Sequence, residues 1–285
     1  MKIIVTGASG QLGRCLKDVL VRHEIDHVAL SSSDLNIVDP LAVKRVLAEH
    51  SPCVVINAAA YTAVDKAESE EAKAYDVNCH GASNLAGACA NMGIRLIHVS
   101  TDYVFDGTKG SPYQEDDVTN PLGVYGHSKR AGELAILDSG AGVIVRTSWV
   151  FSEYGNNFLK TMIRVGKERD VLGVVNDQVG VPTYAGDLAE ALVALAEKPA
   201  AAGVYHFSGG EPCTWYDFAT AIFQAYQHSY PDFSCPYVKP IESSAYPTPV
   251  KRPAYSVLSG VRLLNEFGIA EGDWRKALVP VCDML

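Results

Sequence analysis

The chain has 285 residues, 48% of them hydrophobic, and a formal net charge of −9 at pH 7. That length fills one large core, or a large one with a smaller companion. The negative balance excludes a reader of phosphate backbones, which needs clustered Lys and Arg, so no nucleic acid partner is expected. Any anionic ligand has to be held locally, by backbone N–H groups or one or two cations. Seven cysteines, at positions 15, 53, 79, 89, 213, 235 and 282, form no C-x-x-C pair. They read as reduced thiols of a cytoplasmic protein, neither a disulfide framework nor a zinc site. No run of 18 apolar residues occurs and the opening "KIIVTG" is strand-like, so neither a membrane span nor a secretory leader is expected.

In chain order, "KIIVTG" predicts a strand, followed by a helix over 11–22, the strand "HVAL", a helix over 41–49 and the strand "VVINAAA". A helix over 72–92, the strand "RLIHVS", a helix over 125–137 and the strand "GVIVRTS" come next. The strand runs are apolar on both faces, as strands between two helical layers must be. Such alternation predicts an α/β fold, a doubly wound parallel sheet of the Rossmann kind. Beyond Trp149 irregular segments mix with helices over 157–167, 185–197 and 215–226. The expected division is a dinucleotide-binding domain over 1–149, joined by about 184–206, and a smaller substrate-binding domain from 150–183 and 207–285.

Residues 7–13 read "GASGQLG", with Gly7, Gly10 and Gly13 between the first strand and the first helix. Glycine permits a tight turn and a close backbone approach, and the helix N-terminus favours a pyrophosphate, so this turn predicts a dinucleotide site. The second strand ends in Ser31-Ser32-Ser33, with Asp34 just beyond. An acid there favours NADH, while serines donate to a 2′-phosphate and no arginine is close. The balance leans to NADPH, with NADH open.

"VYGHSKRAGE" holds Tyr125 and Lys129 four residues apart, hence on one helix face. An ammonium about 5–6 Å from a phenol, at an effective dielectric of about 20, favours the phenolate by roughly 3 kcal/mol, or about 2 pK units. Tyr125 then comes within range of a general acid. "HVSTDYVFDG" begins as a buried strand and ends in hydroxyls and acids at the sheet's carboxyl edge, where Thr101 is placed to meet a reacting oxygen. Asp102 either accepts from a sugar hydroxyl or caps the following loop.

These stretches, with "INAAAYTAVDKAE", "NPLGVYGHSK", "RTSWVF", "GNNF", "NDQVGVPT" and "SSAYPTP", resemble the dTDP-4-dehydrorhamnose reductase family of extended short-chain dehydrogenases/reductases from end to end. The resemblance implies reduction of the C4 keto group of dTDP-4-dehydro-L-rhamnose to dTDP-L-rhamnose, with Tyr125 as proton donor. Lys129 would tune that acid and hold the nicotinamide ribose, and Thr101 would complete the triad. Gly10, Gln11, Leu12 and Gly13 would cradle the pyrophosphate, Asp34 and Leu35 would flank the adenine, and Ala60, Tyr61 and Thr62 would line the other side. Asp102 and Trp149 would contact the deoxysugar, and Asn78 would support the catalytic strand. Some members carry a magnesium ion at a dimer contact, held by glutamates near the first helix. Here that stretch reads "LGRCLKD", with Cys15 in place of a carboxylate, which speaks against a bridged dimer while leaving magnesium open. No metal ligands are assigned, and the chain is expected to be a monomer or a homodimer.

A nucleotide-sugar needs cations for its diphosphate, and Arg252 and Lys160 are the candidates, each equally readable as a solvated surface charge. Asn157 either binds substrate or caps the helix after it. The stretch "WYDFATAIFQAY" has the spacing of core packing, and His98 that of a satisfied core histidine. Two other readings share this scaffold: a nucleotide-sugar epimerase or epimerase-reductase, and a non-catalytic NADP-binding regulatory subunit.

Overall fold

Strands β1 (Ile3–Thr6), β3 (Val54–Asn57) and β5 (Gly142–Thr147) are buried at every residue, which is why their sequences show no apolar–polar alternation. In the computed structural model, which describes residues 1–140, 142–199 and 202–285, they join β2 (His27–Leu30), β4 (Arg95–Thr101) and β6 (Gly203–His206) in one sheet. The order is β2-β1-β3-β4-β5-β6 and every pairing is parallel. The expected doubly wound sheet is therefore observed.

Helices cover both faces. Helix α1 (Gln11–Arg22) lays Leu12, Leu16, Val19 and Leu20 against Leu188, Leu192 and Leu195 of the later helix Ala185–Ala196, over one face of the sheet. On the other, α2 (Pro40–His50) and a helical run over 71–92, here α3, close a core around Val43, Leu47, Leu85, Cys89 and Ile136. The stretch expected to return to the sheet does so, through Ala185–Ala196 and β6, although residues 200 and 201 lie outside the described ones.

One element departs from expectation. The run over 71–92 is not a single α-helix, because Asp76–Gly81 is a π-turn that carries the buried Asn78. A π-turn accommodates one extra residue and such turns gather at functional sites. The hydrophobic pattern continues through it, so periodicity alone reads straight across.

Beyond β5, residues of 150–183 and 207–285 build a third apolar cluster from Phe151, Leu159, Ile163, Phe218, Ile222, Trp274 and Leu278. Helix Trp215–Ser229 starts at a reciprocal capping box, Thr214 with Asp217.

Helix α4 (Val124–Ser139) packs against both α3 and strands β4 and β5, and one of its fully buried residues is charged. Glu133 is fully buried, with Arg146 of β5 donating from Nε and Nη2 to its two oxygens at 2.8 Å each and Arg130 donating at 3.0 Å. Burial alone would raise the Glu133 carboxyl, but the Arg146 guanidinium holds it below its ordinary value. Removing one partner of such a pair strands a buried charge, whereas removing both does not. Arg146→Met is expected to cost about 3–5 kcal/mol in urea unfolding, and Glu133→Leu with Arg146→Met to recover most of that loss. Equal losses in the single and double variants would show that the pair does not anchor α4.

Candidate active site

The strand order reverses between β1 and β3, and the carboxyl ends of those strands face the glycine turn. Gly7 has φ +71°, and a side-chain carbon there would lie 2.6 Å from the Ala59 nitrogen. At Gly13 such a carbon would lie 2.2 Å from the Gly7 carbonyl oxygen, so the helix can seat on the turn only with glycine there. Gly10 is the N-cap of α1 and supplies no side-chain cap, which leaves the first N–H groups of α1 without the usual side-chain acceptor. That arrangement fits a bound phosphate.

The neighbouring residues take different parts. The Gln11 side chain donates to the Val150 carbonyl at 3.2 Å and accepts from Ser152 and Asn157, so it braces the second body. Leu12 and Leu35 bury their side chains in the two cores and offer a ligand only backbone. At the end of β2, the Asp34 carboxylate accepts from the Ser31 N–H at 2.9 Å and from its hydroxyl at 2.6 Å, which lowers its pKa. Ala60, Tyr61 and Thr62 follow β3 in a loop pinned by Asn78, which accepts from the Tyr61 N–H at 2.9 Å and donates to the Tyr61 carbonyl at 3.0 Å. Asn78 also donates to Ser128 of α4 at 3.0 Å, so it ties this loop to the helix of Tyr125 and does not brace the catalytic strand.

Tyr125, Thr101 and Lys129 converge where β4 ends against α4, and all three are buried. Thr101 donates to Asp102 Oδ1 at 3.0 Å and caps the next turn by accepting from the Tyr103 N–H at 3.2 Å. The phenol of Tyr125 is pushed above its ordinary value by burial; the Thr101 hydroxyl opposes this, and Asp102 and Tyr103 add to it. Lys129 Nζ donates to the Val99 carbonyl at 2.7 Å and meets His98 Nε2 at 3.2 Å, and burial pulls it down to about 8 against the charge of Glu133. The Tyr125 phenol therefore lies above its ordinary value, through burial, where the spacing with Lys129 led to the expectation of a lowered one. Spacing of four residues guarantees a shared face, but the lysine tip goes to the nearest acceptors, and these lie on β4.

Asp102 is the other unusual group. It is 2% exposed, its Oδ2 has no hydrogen-bond partner among the described residues, and burial raises it to about 6 against Ser256 and Thr101. A buried carboxylate oxygen without a donor is costly, and a ligand hydroxyl would satisfy it.

A cavity of about 750 Å³ opens beside this cluster, lined among others by Asp65, Tyr103, Gln178, Trp215, Lys251 and Arg252. Tyr103 connects it to the phenol, since its ring meets Tyr125 edge-on at 5.6 Å. Arg252 reaches the cavity as expected, donating to Asp65 at 2.6 Å with its guanidinium over the Tyr103 ring. The other substrate candidates do not. Lys160 donates to the Glu153 carbonyl at 3.0 Å and does not line the cavity. Asn157 is a cap, accepting from the Lys160 N–H at 3.0 Å while its amide donates to the Ser152 carbonyl at 2.7 Å. Trp149 stacks on Trp215 with centroids 3.4 Å apart and also lies outside the cavity wall. Trp215, read from the sequence as core, is the tryptophan that faces the cavity. Its place directly after the Thr214 cap, where a side chain projects past the helix end, is the signal that periodicity overlooks. His98 is buried as expected, and its neighbour on the lysine side is what sequence could not show.

The chain matches the family described as RmlD substrate binding domain over residues 1–285. It is 48% identical, over 97% of each chain, to a dTDP-4-dehydrorhamnose reductase of Aggregatibacter actinomycetemcomitans. A crystal structure of a dTDP-4-dehydrorhamnose reductase from Clostridium acetobutylicum superposes with a TM-score of 0.92 at 39% identity, covering 100% of this chain and 99% of that one. Another, from Bacillus anthracis in complex with NADP, gives a TM-score of 0.90 at 39% identity over 98% of each chain. With its whole length matched in sequence and in fold, the chain belongs to the dTDP-4-dehydrorhamnose reductase family.

Proposed function

We propose that this protein reduces the C4 keto group of dTDP-4-dehydro-L-rhamnose with NADPH, giving dTDP-L-rhamnose, and that Tyr125 gives the proton to the carbonyl oxygen. The observation that carries this reading is the buried phenol beside the Thr101 hydroxyl, edge-on to the Tyr103 ring that lines the cavity. The nicotinamide supplies the hydride. Backbone N–H groups of Gly10 to Gly13 hold the pyrophosphate, residues 60–62 flank the cofactor, Ser31 and Asp34 meet the adenosine end, and Lys129 meets the nicotinamide ribose.

A reductase needs its acid protonated before hydride arrives, and a phenol raised by burial keeps its proton throughout the neutral range. Hydride addition turns the carbonyl oxygen into an alkoxide, a far stronger base than a phenolate, so proton transfer from a high-pKa phenol still runs downhill. Thr101 orients the same oxygen. Asp102 accepts from a sugar hydroxyl, and Arg252 with Lys251 offers positive charge to the diphosphate across the cavity. The body formed by 150–183 and 207–285 then serves as the substrate domain, and 1–149 with about 184–206 as the dinucleotide domain. We place the reaction in the cytoplasm, in keeping with seven unpaired thiols. Among the described residues no helix is long and apolar enough to cross a membrane.

Tyr125→Phe is expected to lower turnover of the keto-sugar by about 10²–10⁴-fold while changing NADPH affinity less than about threefold. Equal loss of both would make Tyr125 structural. Gly13→Ala drives a methyl group against the Gly7 carbonyl and should weaken NADPH binding at least about tenfold in a fluorescence titration, a loss of roughly 1.4 kcal/mol. Unchanged affinity would remove the pyrophosphate from this turn. Asp102 must be ionised to accept from the sugar, so kcat/KM should fall as pH drops through about 6. In Asp102→Asn that acid limb should disappear from a slower profile; its persistence would assign the limb to another group.

A further inference from the structure

Helix α4 starts at an end that its own sequence leaves open. Its N-cap, Gly123, has no side chain to offer, and its first backbone bond runs from the His127 N–H to the Gly123 carbonyl at 3.0 Å. The N–H groups of Val124, Tyr125 and Gly126 therefore have no acceptor inside the helix. At α1 the same lack fits a phosphate. At α4 a carboxylate from another element takes the place: Glu68 Oε1 accepts from the Val124 N–H at 2.8 Å. Negative charge is also favoured at this end of the helix dipole. The usual caps, serine or aspartate, have no room at 123. A side-chain carbon there would lie 2.9 Å from that same Glu68 oxygen and 2.6 Å from Val250 Cγ1.

The segment that carries Glu68 is itself fastened. Glu68 directly follows the short helix Val64–Ala67, and Asp65 lies three residues before it on the same face. Asp65 accepts from Arg252 at 2.6 Å, which joins this helix to the second body. Two residues beyond Glu68, the Glu70 carboxylate accepts from the Tyr61 hydroxyl at 2.8 Å. Ala67, fully buried, packs in one cluster with Ala74, Tyr125, Val64 and Tyr103. The stretch "VDKAESEE", charged enough to suggest a solvated turn, is thus anchored on both sides of Glu68 and packed around the tyrosine.

We propose, on the reading of Tyr125 as the acid, that Glu68 is a positioning residue for it. By capping α4 from outside, Glu68 fixes the first turn of the helix and with it the place of the phenol one residue on. Lys129 and Glu133, one and two turns further along, are matched from β4 and β5, and the cap does the same for the end that those contacts do not reach. Glu68 does not line the cavity, so its effect on the reaction passes through Tyr125.

Steady-state kinetics of full-length Glu68→Ala and Glu68→Gln test this. In Glu68→Ala the Val124 N–H loses its acceptor, and kcat should fall about threefold to tenfold, as for a lost N-cap, with NADPH affinity changed less than about twofold. Glu68→Gln keeps an oxygen at the same place and should recover most of that loss. Equal losses in the two variants overturn the proposal. In a Tyr125→Phe background, Glu68→Ala should cost nothing further, because a positioning residue acts only through the group it positions. Additive losses overturn it as well. Amide exchange followed by NMR reads the cap without turnover: the Val124 N–H should exchange at least about tenfold faster in Glu68→Ala than in the wild type or in Glu68→Gln. Unchanged exchange removes the cap, and faster exchange with unchanged kcat removes its catalytic role. Full turnover in Tyr125→Phe would instead refute the reading of Tyr125 as the acid, and the exchange rates would still decide whether Glu68 fixes this turn.

Discussion

Helix α4 carries three ionisable groups, Tyr125, Lys129 and Glu133, into the interior at successive turns of one face, and the surrounding structure is organised by the need to satisfy them. Each is matched from the sheet. Glu133 takes both arms of Arg146 on β5, Lys129 takes the Val99 carbonyl and His98 on β4, and Tyr125 takes the Thr101 hydroxyl at the end of β4. A charge left unpaired at that depth would cost several kcal/mol, comparable with the net stability of a domain. The register between α4 and the two strands is therefore fixed by polar matching as much as by apolar burial, and the positions of Tyr125 and Lys129 inherit that precision.

Depth also decides the chemistry. At the surface a lysine beside a tyrosine would lower the phenol, and the chain would hold a half-ionised acid near neutral pH. Buried, the same pair behaves differently: burial raises the phenol and lowers the amine to about 8. Asp102 follows the same rule, its carboxyl lifted to about 6 with one oxygen still lacking a donor. A site whose groups resist charge suits a reaction in which negative charge develops on substrate oxygen and is removed by a neutral acid. In a chain of net charge −9, the uncapped N–H groups at the start of α1 and Arg252 in the cavity wall are local sources of positive potential that do not depend on the overall field.

The sheet, the glycine turn and the Tyr125–Lys129 face were legible because each is written in local spacing: apolar runs for buried strands, glycines where a side-chain carbon has no room, and four residues for one helical face. What was not legible depends on competition among acceptors or on packing across distant segments. Asn157 was ambiguous between cap and ligand, and the free N–H groups of its own helix won because they are adjacent. The ammonium of Lys160 went to a carbonyl seven residues back for the same reason. Where the lysine tip would go could not be read because its partners, His98 and Val99, come from a strand about 30 residues earlier. The π-turn at Asp76–Gly81 escaped because one inserted residue leaves the apolar pattern nearly unchanged.

The exchange of roles between the two tryptophans follows from backbone geometry. Trp149 adopts φ +46°, a left-handed conformation that a bulky residue holds only at a cost of about 1–3 kcal/mol. It does so just after β5, where the chain leaves the sheet to begin the second body. The strain is offset by packing: the indole lies flat on Trp215, and a side-chain carbon at Gly180 would meet it at 2.5 Å, so one face and its edge are enclosed. Enclosure that holds the turn in place also keeps Trp149 out of the cavity wall, to which Trp215 contributes instead. The aromatic surface offered to the cavity is thus set by a strained turn at the end of the sheet, which ties the second body to the strand that it leaves.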